Sequence, residues 1–300
     1  MVDRQDVGVS GIPVNPVPPR VEVIGIGVQK AATSWLFRCL TQHPELRGSN
    51  LEGGDKELNF FNRYHEYGYD WYENRFEVGS WKNVEFSVLY FHDRNVPERI
   101  KAYNPDARLI LCLRNPVERA ISQYRHEIRH GRIDYKPGGF WDAVARNPAY
   151  VEQGLYAAHL ERWLEHFDLG QILILDYDEI RRDPLQVLKS TFDFLDAASD
   201  FSPSLAHRRT NRSVIQGEGV PRRLLHLMAG GLRLVVGPRL VKRLRRTRFA
   251  EPLQRYRYVE VEGQDELPRG SDGRKRFAEL FRGDLGRLEG LLGRNYGHWD

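Results

Sequence analysis

Three short apolar runs constrain what this chain can fold into. Val21–Gly27 (VEVIGIG), Arg108–Arg114 (RLILCLR) and Gln171–Asp176 (QILILD) are almost continuously hydrophobic and are bounded by polar residues. A strand with one wet face alternates apolar and polar residues, whereas one covered on both faces does not. Runs of this kind therefore predict interior strands of a parallel sheet. The stretches between them carry helical patterns. Thr33–Gln42 predicts a first helix, ending at His43-Pro44, and Pro116 opens PVERAISQYRHEIRHG, with proline in the first turn and Gly131 as the stop. Tyr150–Phe167 predicts another helix, Asp183-Pro184 opens LQVLKSTFDFL, Arg274–Leu292 predicts a last helix, and Asn83–Tyr90 is a further strand candidate. Strands alternating with helices predict an α/β fold, a parallel β-sheet flanked by helices on both faces. Ligands of such sheets bind at the carboxyl ends of the strands. Lys30 and Arg114, which follow two of the strands, are therefore expected to face one pocket.

With 300 residues, 41% of them hydrophobic, the chain can bury one large core or two small ones. A formal net charge of +4 favours anionic ligands without pointing to nucleic acid. Cys39 and Cys112 sit in apolar runs and lack metal-site spacing, so both are expected as buried, reduced thiols. Residues 1–20 hold four prolines and no apolar leader, and no run approaches the roughly 20 apolar residues of a membrane span. The expectation is a flexible Pro-rich lead-in followed by one domain over 21–300, in a soluble, cytoplasmic protein. Around 202–270 the strand signal fades, and nine Lys/Arg with no acid fall between Pro221 and Arg248. That segment reads as a solvated helical insertion. An anionic ligand, an acidic membrane surface contacted peripherally, or a protein partner are the other occupants its charge fits.

Three constellations carry chemistry. The first, Gly25-Ile-Gly-Val-Gln-Lys30-Ala31-Ala32-Thr33-Ser34, follows the first strand and opens the first helix. Backbone N–H groups, a helix dipole and one lysine converge there as a phosphate requires. It is not a Walker A loop, since no glycine precedes Lys30 and the hydroxyls come three and four residues later. An ordinary strand–turn–helix with a solvated lysine accounts for the same residues. The second runs from Arg114 to Tyr124 (RNPVERAISQY). A guanidinium fork at a strand end and Ser122 two turns into the next helix suit a second phosphate group. The bland alternative is an Arg114–Glu118 pair at a helix start. The third is Lys56-Glu57-Leu58-Asn59-Phe60-Phe61, where a carboxylate beside an apolar and aromatic pair is expected to be partly desolvated, as a general base is. The alternative is a surface glutamate beside a packed Phe-Phe anchor.

Together and in this order the three resemble the sulfotransferases that use 3′-phosphoadenosine 5′-phosphosulfate (PAPS), in particular the heparan sulfate glucosaminyl sulfotransferases and their bacterial relatives. The family's K-x-G-T-[ST] followed by H-P is here Lys30 to Ser34 with His43-Pro44. Its E-[hydrophobic]-x-F-F is Glu57 to Phe61. Its R-[DN]-P-x-E-R-x-x-S-x-Y is complete from Arg114 to Tyr124. Tyr69-Asp70-Trp71-Tyr72, Asp176-Tyr177-Asp178, Arg182-Asp183-Pro184 and the closing Gly293-Arg294-Asn295-Tyr296 are also similar. The resemblance implies a bacterial enzyme with a P-loop-like sulfotransferase fold. PAPS would be its donor and PAP, the 3′,5′-bisphosphate, its product. The acceptor would be a glycan or other small molecule, with no metal, and with no nucleic-acid partner. Ala31, Ala32, Thr33, Ser34 and Lys30 would hold the 5′-phosphate, and Lys30 would neutralise the leaving oxygen. Arg114 and Ser122 would grip the 3′-phosphate, Arg212 and Arg222 would close over the nucleotide, and Glu57 would be the general base. The family's loop glycine is Ala32 here, and a catalytic lysine of some relatives is Phe86. Other readings are an ATP-dependent kinase, with Asp176 as a Mg²⁺ ligand, a non-catalytic nucleotide-binding protein, or His92 in place of Glu57 as base.

Overall fold

A computed structural model describes residues 20–50, 56–134, 139–207 and 270–299. In chain order its elements begin with β1 (Val21–Gly27), α1 (Thr33–Leu40) and β2 (Leu46–Arg47). A π-turn (Phe60–Tyr64) and a 3₁₀ turn (His65–Tyr67) lead into α2 (Gly68–Glu73), then β3 (Lys82–Phe86), α3 (Val96–Tyr103) and β4 (Arg108–Leu113). There follow α4 (Pro116–Arg129), α5 (Gly139–Arg146), α6 (Ala149–Glu152), α7 (Tyr156–Leu164) and β5 (Ile172–Asp176). The last are α8 (Tyr177–Arg182), α9 (Pro184–Phe194) and α10 (Asp272–Leu292). Two compact units emerge. Among the described residues, 20–28, 32–113 and 162–207 form the first, and 29–31, 114–161 and 270–299 the second.

The first unit holds a five-stranded, all-parallel sheet in the order β2-β3-β1-β4-β5. β1 is central, and the order reverses beside it, with β2 and β3 to one side and β4 and β5 to the other. Outside the carboxyl ends of β1 and β4 is therefore the place where a sheet of this kind binds its ligand. The three apolar runs form the strands expected of them, because side chains on both faces are buried: Val23, Ile24 and Ile26 of β1 and Leu109 to Leu113 of β4 are fully covered. Gly25 pairs in register with Phe86 of β3, and a methyl group on Gly25 would lie 2.1 Å from the Phe86 ring. The glycine is required because that ring occupies the space above it. Cys39 and Cys112 are buried free thiols, as expected, and desolvation pushes both up to about 12.

His43 explains the His-Pro motif. Its Nε2 lies 2.9 Å from the Ala198 carbonyl, and the amide of Glu45 donates to its Nδ1, so the ring fastens the end of α1 to the segment after α9. Trp163, near the end of α7, donates its indole N–H to the Phe91 carbonyl at 2.9 Å.

The second unit packs α4, α5 and α10 around Val117, Ile121, Tyr124, Phe140, Phe277 and Phe281. Asn115 caps α4, its Oδ1 accepting from the amides of Val117 and Glu118, and Pro116 fills the first position. The single helix expected over Tyr150–Phe167 is instead two, α6 and α7, with Gly154 between them. A Cβ at Gly154 would meet the Phe281 ring at 2.6 Å and Pro116 at 3.0 Å, so the backbone packs too closely there for another residue. The fresh N-terminus of α7 is then satisfied by Asp284 of α10, which accepts from the amides of Ala157 (2.8 Å) and Ala158 (3.1 Å). The strand candidate over Asn83–Tyr90 ends at Phe86, where the chain turns so that the Tyr90 amide bonds the Ser87 carbonyl. Among the described residues no helix is long and apolar enough to cross a membrane.

Candidate active site

The loop after β1 has an unusual backbone. Lys30 and Ala32 both adopt left-handed conformations, with φ of 72° and 64°. Ala32 stands at the cap of α1 and its side chain can make no cap bond. The first-turn amides of α1 thus lack the side-chain oxygen that usually claims them, the condition under which a helix start takes an anion. The alanine adopts this left-handed conformation at a steric cost of about 1–2 kcal/mol, which a glycine would not bear.

In the first unit, Lys56 joins this loop to the third motif. Its ammonium lies 2.9 Å from Glu57 Oε1 and donates to Thr33 Oγ1 at 3.3 Å. One lysine thereby spans the hydroxyl expected to hold a phosphate and the carboxylate expected to act as base. Lys56 precedes Glu57 in the sequence without a mark of its own, because only the folded chain shows which hydroxyl it reaches. The desolvation expected at Glu57 is not found: its side chain is 37% exposed and paired with Lys56. Desolvation falls instead on Glu85 of the next strand, β3. It is completely enclosed by β3 and its neighbours, and burial raises it to about 7 against the pull of its hydrogen bonds. Phe86 is fully buried, its ring over Gly25 and edge-on to Phe37 at 5.8 Å, so position 86 serves core packing and not charge.

In the second unit, Arg114 donates to the Lys30 carbonyl at 2.9 Å and pairs with Glu118 at 3.7 Å. Glu118 in turn binds Arg274 of α10. The Arg114–Glu118 pair therefore exists, and the same guanidinium also holds the lysine loop. Tyr156 donates to the Arg114 carbonyl at 2.7 Å, fixing the backbone from α7. Ser122 lies half-buried on α4, two turns after Arg114. Further along α4, His126 lies against His130 with ring centroids 3.9 Å apart and planes tilted by 43°. Burial first, then the charges of Lys30, His130, Arg129 and Arg132, push His126 down to about 3. Lys30 is thus one of several cations whose charge reaches His126. Arg119, fully buried, is held by Gln123 at 2.7 Å and by the Tyr150 carbonyl, a structural use of the second arginine of that motif.

Arg212, Arg222 and the basic stretch 221–248 lie outside the described residues, as does the lead-in over 1–19. His92 is half-buried, and its carbonyl accepts from Arg162. Asp176 caps α8 by accepting from the Asp178 amide at 2.7 Å, which gives this strand-end acid a structural task.

The profile of the sulfotransferase domain family matches residues 21–213, from β1 through the segment after α9. The chain belongs to this family. It is similar to the bifunctional heparan sulfate N-deacetylase/N-sulfotransferase 3 of Homo sapiens, 33% identical over 199 residues, which cover 60% of this chain and 23% of that one. It is equally similar to number 2 of the same human series, 33% identical over 205 residues, covering 62% and 23%. The chain therefore spans under a quarter of the length of these curated relatives. Among solved structures, a sulfotransferase from Alicyclobacillus acidocaldarius superposes with a TM-score of 0.63 over 93% of this chain and 98% of that one, at 23% identity. That likeness shows the sulfotransferase fold, a parallel sheet with flanking helices. The family is named for sulfuryl transfer.

Proposed function

We propose that this sulfotransferase moves a sulfuryl group from PAPS to a hydroxyl or amine of a carbohydrate or related small acceptor. The observation that carries the reading is Lys56, which joins Glu57 to Thr33 of the lysine loop. It ties a candidate base to a candidate phosphate cradle through one side chain.

In the proposed reaction the first-turn amides of α1, with Thr33 and Ser34, bind the 5′-phosphate. Glu57 takes the proton of the acceptor O–H or N–H as that atom attacks sulfur in line. The bond from sulfur to the bridging oxygen breaks, and the electron pair leaves on the 5′-phosphate of PAP. Lys30 neutralises that oxygen, and Lys56 supplies the second cation that Phe86 does not. Arg114 and Ser122 bind the 3′-phosphate, the group that distinguishes this donor from ATP. Positioning and charge stabilisation supply most of the acceleration, as in phosphoryl transfer.

The choice of a glycan acceptor rests on the heparan sulfate relatives. Transfer of radiolabelled sulfate from PAPS into a panel of glycosaminoglycan fragments, amino sugars and small alcohols tests it. Incorporation into one class supports the reading, and none across the panel refutes it. Thermal shift tests the donor separately: PAP should stabilise the protein by mass action and ATP–Mg²⁺ much less, and the reverse order would overturn the donor assignment.

A further inference from the structure

We infer that Glu85 is a positioning residue for the Glu57 segment, holding it by a relay of hydrogen bonds through Ser87 and Tyr90. The inference rests on Glu57 acting as base in the proposed transfer. Glu85 is wholly buried in β3 and its carboxylate gathers four donors. Tyr72 of α2 donates to Oε2 at 2.9 Å, Tyr90 donates to Oε1 at 3.0 Å, Ser87 donates to the same oxygen, and the Leu58 amide donates as well.

Two of these hydroxyls carry the restraint onward. Ser87 Oγ accepts from the Asn59 amide at 2.9 Å, and Tyr90 Oη accepts from the Phe61 amide at 3.2 Å. The Lys56 carbonyl meanwhile accepts from the Phe86 amide at 3.2 Å. Each hydroxyl has one proton to give. Because an acceptor-only carboxylate takes both protons, both oxygens are left turned toward the Glu57 segment as acceptors. Asn59, within the segment, stands at φ 52° in the left-handed region.

The ionised form is the one that orients the relay. Burial works against it, raising the group to about 7, while Ser87, Tyr72, Tyr90 and the Leu58 amide favour it. Tyr72 and Tyr90 are themselves held protonated well above their usual range, so each stays a donor to the carboxylate. Tyr103 of α3 and Glu73 of α2 lie beyond Tyr72 and complete the ionisable surroundings.

The test is Glu85→Gln beside Glu85→Asp. Glutamine keeps the volume but presents an NH₂ donor to groups that are themselves donors, so a hydroxyl must turn away. Amide hydrogen exchange of residues 57–61 should speed up by roughly tenfold or more in Glu85→Gln, with β1 and β4 still protected. In turnover, kcat should fall by about tenfold or more, with PAP affinity within about twofold of the parent. Glu85→Asp should recover part of both effects. Unchanged exchange at 57–61 overturns the inference. So does a parallel loss of PAP affinity and protection throughout the sheet, which would make Glu85 a stability residue only. If Glu85→Gln does not fold, Ser87→Ala removes the Asn59 tie together with one donor to Glu85 and leaves the Tyr90 arm in place, and unchanged exchange at Asn59 overturns the relay. A parent that transfers no sulfate from PAPS, yet shows the exchange difference, fails the sulfotransfer reading while leaving the tether standing.

Discussion

The Arg114 guanidinium donates to the main-chain carbonyl of Lys30 across 2.9 Å. The group proposed to recognise the 3′-phosphate is thus bonded to the loop proposed to handle the 5′-phosphate. Arg114→Ala should weaken PAP by about tenfold to a hundredfold, the scale of a charge-assisted hydrogen bond, and weaken adenosine 5′-phosphosulfate less. Both ligands lose what the Lys30 carbonyl bond contributes, so the difference between them isolates the 3′-phosphate. Equal weakening in calorimetric titrations would remove Arg114 from that role.

Glu57→Gln should reduce sulfate transfer by about 10²–10⁴-fold while PAP binds as before, the signature of a lost general base. Lys56→Ala should reduce both turnover and PAP affinity, because its ammonium touches Thr33 as well as Glu57. Steady-state kinetics with parallel PAP titrations separates the two variants. Undiminished transfer in Glu57→Gln would leave the base unassigned.

Ala32→Gly should leave the protein as stable as before or slightly more so. A left-handed alanine costs about 1–2 kcal/mol, while glycine loses about 0.4–1 kcal/mol through the freer unfolded chain. The glycine backbone should also bind PAP as well or better. Destabilisation by more than about 1 kcal/mol in denaturant melts would show that the methyl group contributes packing instead.

Asp284→Ala should cost about 2–4 kcal/mol, because the buried carboxylate satisfies two amides at the start of α7 and leaves them bare when removed. Asp284→Asn, which keeps one acceptor oxygen, should cost less. Equal midpoints for Asp284→Ala and the parent would contradict the capping role.

Glu85 gives a pH dependence whose sign is fixed. Its folded value is raised from 4.5 to about 7, so the folded chain binds the extra proton. The stability associated with that proton is fully present below about pH 4.5 and is lost as pH rises through 7. Glu85→Gln should abolish this slope, measured as the difference in unfolding free energy between pH 5 and pH 8. An unchanged slope would place the proton elsewhere. His126 acts in the opposite sense: its folded value is depressed to about 3, so its contribution is present above 6.5 and fades as pH falls.

What the sequence disclosed and what it withheld divide along physical lines. β1, β4 and β5 were legible because a strand buried on both faces writes its burial as an unbroken apolar run. The start of α4 was legible because Pro116 is a local first-turn signal, whereas the cap made by Asn115 emerged only in the structure. The break between α6 and α7 was not, since its causes, Phe281 and Asp284, lie more than a hundred residues further along the chain. The short turns over Phe60–Tyr67 were hidden for a similar reason: Phe60 stacks on Tyr72 at 4.5 Å, and aromatic packing sets their path, not propensity. At the site, Lys30, Thr33 and Arg114 stood out by residue type and place. Which glutamate would be desolvated did not, because Glu57 and Glu85 both precede apolar residues, and only strand pairing puts the second of them inside.

Gly25 and Phe86 can be exchanged only together. A side chain at 25 would collide with the ring at 86, and a lysine at 86 would empty the space above Gly25 and bring a charge into the buried face of the sheet. A redesign that seeks a cation at 86 must therefore refill the space at 25 in the same step.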